Sequence, residues 1–299
     1  MSDDLAKSRF LGCLLGLAVG DAVGTTVEFA ARGTFEPISG MTGGGPFNLL
    51  PGQWTDDTSM ALCLAASLVE KNGFDAHDQM ERYRRWLEHG YMSSNGRCFD
   101  VGGTVLSAIL RYAESNDPFS GSTHPHSAGN GCIMRLAPVP MFFSTDHDVA
   151  VHYAAESSRT THGAAECLDA CRLLGSQLVR ALTGANRDEL VFGNEGLELA
   201  TRSIQALAAG AYADKSEGEI RGSGYVVESL EAALWCFATT HSYREAILQA
   251  ANLGDDADTT AAITGQLAGA YYGIGDIPPC WLERLAGREM IETLAMALY

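Results

Sequence analysis

Basic residues are scarce in this chain. Lys and Arg number 20 against 37 Asp and Glu, which gives a formal charge of -17. A surface that follows nucleic-acid phosphates or an anionic membrane needs clustered cations, so this balance argues against both partners. An anionic small ligand would have to be met by metal ions or by backbone amides. Paired cysteines are missing too. The eight, at positions 13, 63, 98, 132, 167, 171, 236 and 280, are scattered and never form a C-x-x-C pair. That argues against a disulfide framework or a zinc ribbon. Most lie in apolar runs, where a thiol behaves as a small hydrophobe. The opening Met-Ser-Asp-Asp has no basic region of the signal-peptide kind. No charge-free apolar run approaches the roughly eighteen residues of a membrane span. The expectation is a reduced, cytoplasmic protein with no integral membrane segment.

Strand alternation is also hard to find; only residues 35–41 suggest a short pairing. Helical periodicity dominates instead. Residues 5–19, 60–69, 168–182, 226–237, 243–253 and 259–272 repeat apolar side chains at three- and four-residue spacing. The 60–69 segment is apolar nearly all round, which suits a helix at the centre of a bundle. Met80, Tyr83 and Leu87 form a stripe, with Arg82, Arg84 and Arg85 expected to face away. Glycine is plentiful, 33 residues, and clusters between these segments at 43–45, 102–103, 129–131 and 222–224. There it can adopt positive φ or let backbone approach a ligand. The one weak candidate for a boundary is the polar stretch 115–127. The expectation is an all-α, many-helix bundle forming a single domain over residues 1–299.

Two helix starts are crowded with carboxylates. Trp54-Thr55-Asp56-Asp57-Thr58-Ser59 runs straight into one apolar helix, and Gly254-Asp255-Asp256-Ala257-Asp258-Thr259-Thr260 into another. Taken alone, each reads as N-capping, because Asp and Thr accept bonds from the first free amides of a helix. Taken together they point elsewhere. A cap requires one acceptor, and adjacent carboxylates repel unless cations or protons intervene. Both helices are too apolar for the surface, so their acidic ends are expected to face a common cleft holding a binuclear Mg or Mn site. The second segment is not an EF-hand: counting from Asp256, the sixth position is Ala261 and the twelfth Leu267.

These residues resemble the ADP-ribosylglycohydrolase family over nearly the whole chain. Gly20-Asp21-Ala22-Val23-Gly24 followed by Glu28-Phe29 is similar to its opening motif. Met41 to Gly45, Pro51-Gly52-Gln53 and Thr55 to Thr58 resemble the approach to a first metal half-site. Asp100-Val101-Gly102, Gly129-Asn130-Gly131 with Met134-Arg135, and Thr161-His162 match further blocks in order, and Gly254, Asp256, Asp258 and Thr259 match a second half-site. Each block is weak alone; six in register are specific. Among members the chain resembles the bacterial dinitrogenase reductase-activating glycohydrolase, which removes ADP-ribose from an arginine of nitrogenase reductase. The chain departs from the family at Gly103-Thr104-Val105, where an Asn-Thr-Thr-like run is frequent, and at the insertion His124-Pro125-His126.

The resemblance implies an all-α fold with the site in a cleft between helices, and hydrolysis of the bond between ADP-ribose and a modified protein, nitrogenase reductase being one such partner. Thr55, Asp56 and Asp57 would hold two divalent cations, Mg or Mn, from one side, and Asp256, Asp258 and Thr259 from the other. Glu28 would lie beside the metals and Asp100 near the scissile bond; these are the candidate catalytic carboxylates, with acid and base unassigned. Gly102, Gly103, Gly129, Asn130 and Gly131 would line phosphate and ribose, and His162 and Tyr225 would close the cleft. Arg135 is expected to pair with an interior carboxylate. Two rival readings share these features: a binuclear-metal phosphoesterase, and a non-catalytic ADP-ribose-binding member.

Overall fold

A computed structural model describes residues 2–194 and 196–299. Fourteen α-helices run through the described residues. The first half holds α1 (Asp3–Gly24), α2 (Asp56–Lys71), α3 (Ala76–His89), α4 (Gly103–Ser115), α5 (Pro138–Phe142), α6 (His147–Arg159) and α7 (Ala165–Thr183). The second holds α8 (Arg187–Phe192), α9 (Arg202–Ala208), α10 (Val226–Thr239), α11 (Tyr243–Asn252), α12 (Ala257–Tyr272), α13 (Pro279–Arg284) and α14 (Arg288–Ala297). The all-α expectation holds, and one apolar core draws side chains from Phe10 to Leu298.

The centre of the bundle is the antiparallel pair α1 and α12, and glycine sets it. Gly12, Gly16, Gly20 and Gly24 recur one turn apart on α1. A Cβ at any of them would sit closer than 3.0 Å to the backbone oxygen of Gly269, Gly265, Ala261 or Ala257 in turn. Gly265 and Gly269 press equally hard on the oxygens of Gly16 and Gly12. Side-chain ridges normally hold packed helices about 8–10 Å apart; without them these two backbones touch. The consequence is positional. The C-terminal end of α1, carrying Asp21, is laid beside the N-terminal end of α12, carrying Asp256 and Asp258.

Helix α1 is the one helix among the described residues long and apolar enough, by length and composition, to cross a membrane. Its apolar stretch is interrupted by Asp21, and 89% of it is buried inside the protein. Gly12 to Gly24 are the surfaces that meet α12, so the packing itself accounts for its apolar character.

Three local expectations need correction. Residues 35–41 form no strand: the Ile38 amide donates to Oδ1 of Asn252 at 2.8 Å, and Nδ2 of Asn252 donates back to the Ile38 carbonyl at 3.0 Å. A side-chain amide thus takes the place of a neighbouring strand. The β-type pairings recorded are the isolated bridges Gly44–Leu49, Ser122–His162 and Gly129–Tyr225. Arg82 does not face away on α3. It is buried and donates to Glu70 at 2.6 Å, Asp78 at 2.6 Å and Tyr91 at 2.9 Å, the pairing that lets a guanidinium leave water. The segment 115–127 is tied back to the fold, since the Gly121 amide donates to the Arg159 carbonyl and the Gly163 amide to the Ser122 carbonyl.

Candidate active site

Helix α2 is capped by a side chain from another helix. Its N-cap residue Thr55 makes no side-chain cap of its own. The buried carboxylate of Asp21, at the end of α1, accepts from the Thr55 amide at 2.9 Å and the Thr58 amide at 3.1 Å. It also accepts from both hydroxyls, Thr55 Oγ1 at 3.0 Å and Thr58 Oγ1 at 2.6 Å. Because Asp21 meets the free amides, Asp56 and Asp57 are released from that role. At α12 the N-cap Asp256 likewise makes no side-chain cap. Its Oδ2 instead accepts from Nδ2 of Asn130 at 2.7 Å, and its amide donates to the Gly222 carbonyl at 2.8 Å. The capping explanation of both acidic segments fails on this geometry.

The two segments meet. Thr55 Oγ1 lies 3.2 Å from Oδ2 of Asp258, and Thr259 Oγ1 donates to Oδ2 of Asp57 at 3.2 Å. The remaining oxygen of each carboxylate, Oδ1 of Asp57 and Oδ1 of Asp258, is buried with no hydrogen-bond partner. One oxygen each of Glu28, Asp100 and Asp258 lie within 4.8 Å of one another. None of the ion pairs among the described residues reaches any of these carboxylates.

Burial is the main reason their acidities are disturbed, and mutual repulsion adds to it. Asp56, Asp57 and Asp258 are pushed well above the ordinary carboxylate range, and Asp256 upward. Glu28 rises to about 9, through burial and then the charges of Asp100 and Asp256. Asp100 rises to about 7, through burial and then Asp21 and Asp256. Asp21 rises only to about 6, because the Thr58 and Thr55 bonds oppose its burial. Oxygen donors this crowded, with buried oxygens left unpaired and no basic side chain beside them, fit hard divalent cations. The residues present therefore form an acidic cluster able to hold metal.

Strained turns bring the outer carboxylates in. Phe29, Asp100 and Asp255 all adopt positive φ, at 61°, 61° and 55°. For residues with a Cβ this conformation is uncommon and has to be held by its surroundings. Here the Phe29 amide donates to the Asp255 carbonyl at 2.7 Å and the Asp255 amide to the Ala30 carbonyl at 2.8 Å. This reciprocal pair locks the turn after Glu28 to the turn before Asp256. Arg32 braces it further, donating to the carbonyls of Leu253, Glu217 and Ile220.

The resulting cleft has a volume of about 270 Å³. Glu28, Asp56, Asp100, Asp256, Asp258 and Thr259 line it. Gly102 and Gly103 form the uncapped N-terminus of α4, with open space where side chains would be. Gly129, Asn130, Gly131 and His162 line it as well, with Asn130 bonded to Asp256. Thr55 and Asp57 sit behind the wall, fully buried, and reach the cluster through their bonds. Tyr225 is not in this cleft. It lines an adjoining cavity of about 540 Å³ that shares Thr104, Gly129 and Gly224 with it, and its hydroxyl donates to Glu166 at 2.7 Å. His162 is buried wall rather than lid, and burial lowers its pKa to about 4, so the ring is neutral. Arg135 meets no carboxylate among the described residues. It donates to Thr161 Oγ1 at 2.6 Å and lies over the Tyr83 ring, and Thr161 Oγ1 is 2.8 Å from Nδ1 of His162. An interior aromatic face and a hydroxyl take the place of the expected acid.

The ADP-ribosylglycohydrolase family model matches residues 1–299. The chain belongs to that family. It is similar to the ADP-ribosylarginine hydrolase Tri1 of Pseudomonas putida (strain GB-1), at 44% identity over 100% of this chain and 80% of the relative. It is also similar to the ADP-ribosyl-[dinitrogen reductase] glycohydrolase of Rhodospirillum rubrum, at 34% identity over 95% of this chain and 92% of that protein. A solved structure titled ADP-ribosylglycohydrolase-related protein complex superposes with a TM-score of 0.88 at 44% identity, covering 99% of this chain and 98% of the other. For a chain of this family, the sequence reading missed Asp21, Arg32 and Asn130's grip on Asp256. The first stood inside a quoted motif. Its signal was an Asp at the end of an apolar helix, where a negative charge opposes the helix dipole and so needs another purpose.

Proposed function

We propose that the chain is a metal-dependent hydrolase that cuts the N-glycosidic bond between ADP-ribose and an arginine side chain of a modified protein. The observation that carries this reading is the meeting of Asp57 with Thr259, and of Thr55 with Asp258, across about two hundred residues of chain. The names of the relatives support the arginine linkage.

Thr55, Asp56 and Asp57 would hold divalent cations, Mg or Mn, together with Asp256, Asp258 and Thr259. Such a pair, when bound, orients the ribose hydroxyls and lowers the pKa of bound water. The chain's own residues do the rest. Hydrolysis adds a hydroxyl to the anomeric carbon and a proton to the departing guanidine nitrogen, through an oxocarbenium-like state. Glu28 and Asp100 would exchange those protons, a reading supported by the approach of their carboxylates to each other and to Asp258. The diphosphate is met by the free amides at the N-terminus of α4 and by the loop 129–131, where a helix end and open backbone bind anions without lysine. Neutral His162 serves as a hydrogen-bond donor or acceptor in that wall without adding charge. Eight free thiols suit a reducing, cytoplasmic setting.

The test is product analysis. Incubation with an ADP-ribosyl-arginine protein and Mg or Mn is expected to release free ADP-ribose, and chelation to stop it. Release of inorganic phosphate from a phosphate ester instead would favour a phosphoesterase. Tight ADP-ribose binding without turnover would leave a binding protein.

A further inference from the structure

The catalytic cleft is bordered by one ring, Phe29, that catalysis does not use and that two further phenylalanines back. Along Thr104, Gly129 and Gly224 the cleft adjoins the second cavity. A diphosphate at α4 and the 129–131 loop would send the nucleoside that way. The distal ribose would then lie against Glu28 and Asp100, and the group to be released would leave past them. Phe29 follows Glu28 directly and Phe99 precedes Asp100 directly. Phe47 joins the two rings, with centroids 6.5 Å from Phe29 at 72° and 5.3 Å from Phe99 at 55°.

Phe29 is 67% exposed although it lines the cleft, and it holds a positive φ that is unfavourable for a bulky residue. A large ring turned to water on a strained turn gains little from packing. A ligand that covers it explains both features.

We propose that Phe29, Phe47 and Phe99 form the docking surface for the leaving side chain, and that they select a guanidinium. This rests on the hydrolase reading above. An N-ribosylated guanidinium keeps a planar positive charge, which stacks on aromatic faces and suits a rim beside two carboxylates in a protein of charge -17. A serine linkage offers no cation and gains nothing from these rings. The cluster is therefore a determinant of linkage specificity, separate from the contacts that hold ADP-ribose.

The test uses full-length Phe29→Leu, Phe47→Leu and Phe29→Tyr proteins with bound Mg or Mn. Turnover of an ADP-ribosyl-arginine peptide and of an ADP-ribosyl-serine peptide is followed, and ADP-ribose affinity is measured by calorimetry. Phe29→Leu is expected to raise KM for the arginine peptide about tenfold, the equivalent of about 1.4 kcal/mol. ADP-ribose affinity and any turnover of the serine peptide stay as in the wild type, and Phe29→Tyr restores the low KM. Phe47→Leu, away from the strained turn, should shift KM in the same direction. An unchanged KM in both leucine variants, or a parallel loss of ADP-ribose affinity, overturns the assignment. A wild-type protein that releases no ADP-ribose at all overturns the hydrolase reading instead, so the two failures look different.

Discussion

The two acidic helix starts look alike in sequence and are held in place by different means. At α2 the first turn hangs from Asp21, a single carboxylate of α1 that takes two amides and two hydroxyls. At α12 no carboxylate does that work; the turn is placed by backbone contact with α1 and by Asn130 holding Asp256. The first half-site is thus anchored on one carboxylate, and the second on close backbone packing together with hydrogen bonds from Asn130 and the turn at Phe29. Asp21 and the glycine row that meets α12 both belong to α1. A helix that touches no proposed substrate is what brings the two sets of oxygens together.

That contrast can be broken from either side. Asp258→Ala removes an oxygen donor from the shared cluster while leaving both anchors intact. Turnover should fall by roughly a thousandfold, the scale of losing one preorganised electrostatic element, while helicity by circular dichroism stays unchanged. Gly265→Leu strikes the backbone packing. Inserting a side chain against the Gly16 backbone should cost about 3 kcal/mol or more of folding stability in denaturant titrations, and unchanged stability would show that the two backbones are not in contact. Asp21→Asn strikes the carboxylate anchor. It keeps one acceptor oxygen but sets an NH2 donor against the Thr55 or Thr58 donors, and should cost about 2 kcal/mol. It should also weaken Mn affinity, because the first turn of α2 is no longer fixed. Asn130→Ala should be mildest, near 1 kcal/mol, with cation binding weakened more than the fold.

A pH series sharpens the same picture. Glu28, Asp100 and Asp21 have folded pKa values raised to about 9, 7 and 6, above their unfolded values. The folded state then binds more protons than the unfolded one, so the slope of stability against pH is negative. With chelator present, thermal stability should be greatest in mild acid and fall as pH rises toward 9. Saturating Mg or Mn should flatten that decline, since the cations replace the protons. A chelated protein that gains stability over this range would contradict the repulsive cluster.

Much of this was legible in the sequence, for physical reasons that can be named. The apolar segments at 60–69 and 259–272 became the buried cores of α2 and α12, because an all-round apolar helix has nowhere else to go. The carboxylates of residues 56–57 and 256–258 converged, because like charges crowded into apolar surroundings need a common purpose. What was hidden was mostly relational. Asp21's role depends on a helix more than thirty residues away. Asn252 replaces a strand at Ile38 from over two hundred residues away. The glycines of α1 stood in plain view at four-residue spacing, but their meaning required knowing that α12 carries a matching row. Arg82 followed its neighbours in the amphipathic pattern and was buried all the same, because Glu70 and Asp78 converge on it from α2 and α3.

Counting ions addresses the central claim most directly. Crystals of the protein grown with Mn and ADP-ribose should show, by anomalous scattering, a pair of ions between Asp56–Asp57 and Asp256–Asp258, with the free Oδ1 atoms of Asp57 and Asp258 turned toward them. Density without ions there, or ions bound only at the surface, would contradict the account.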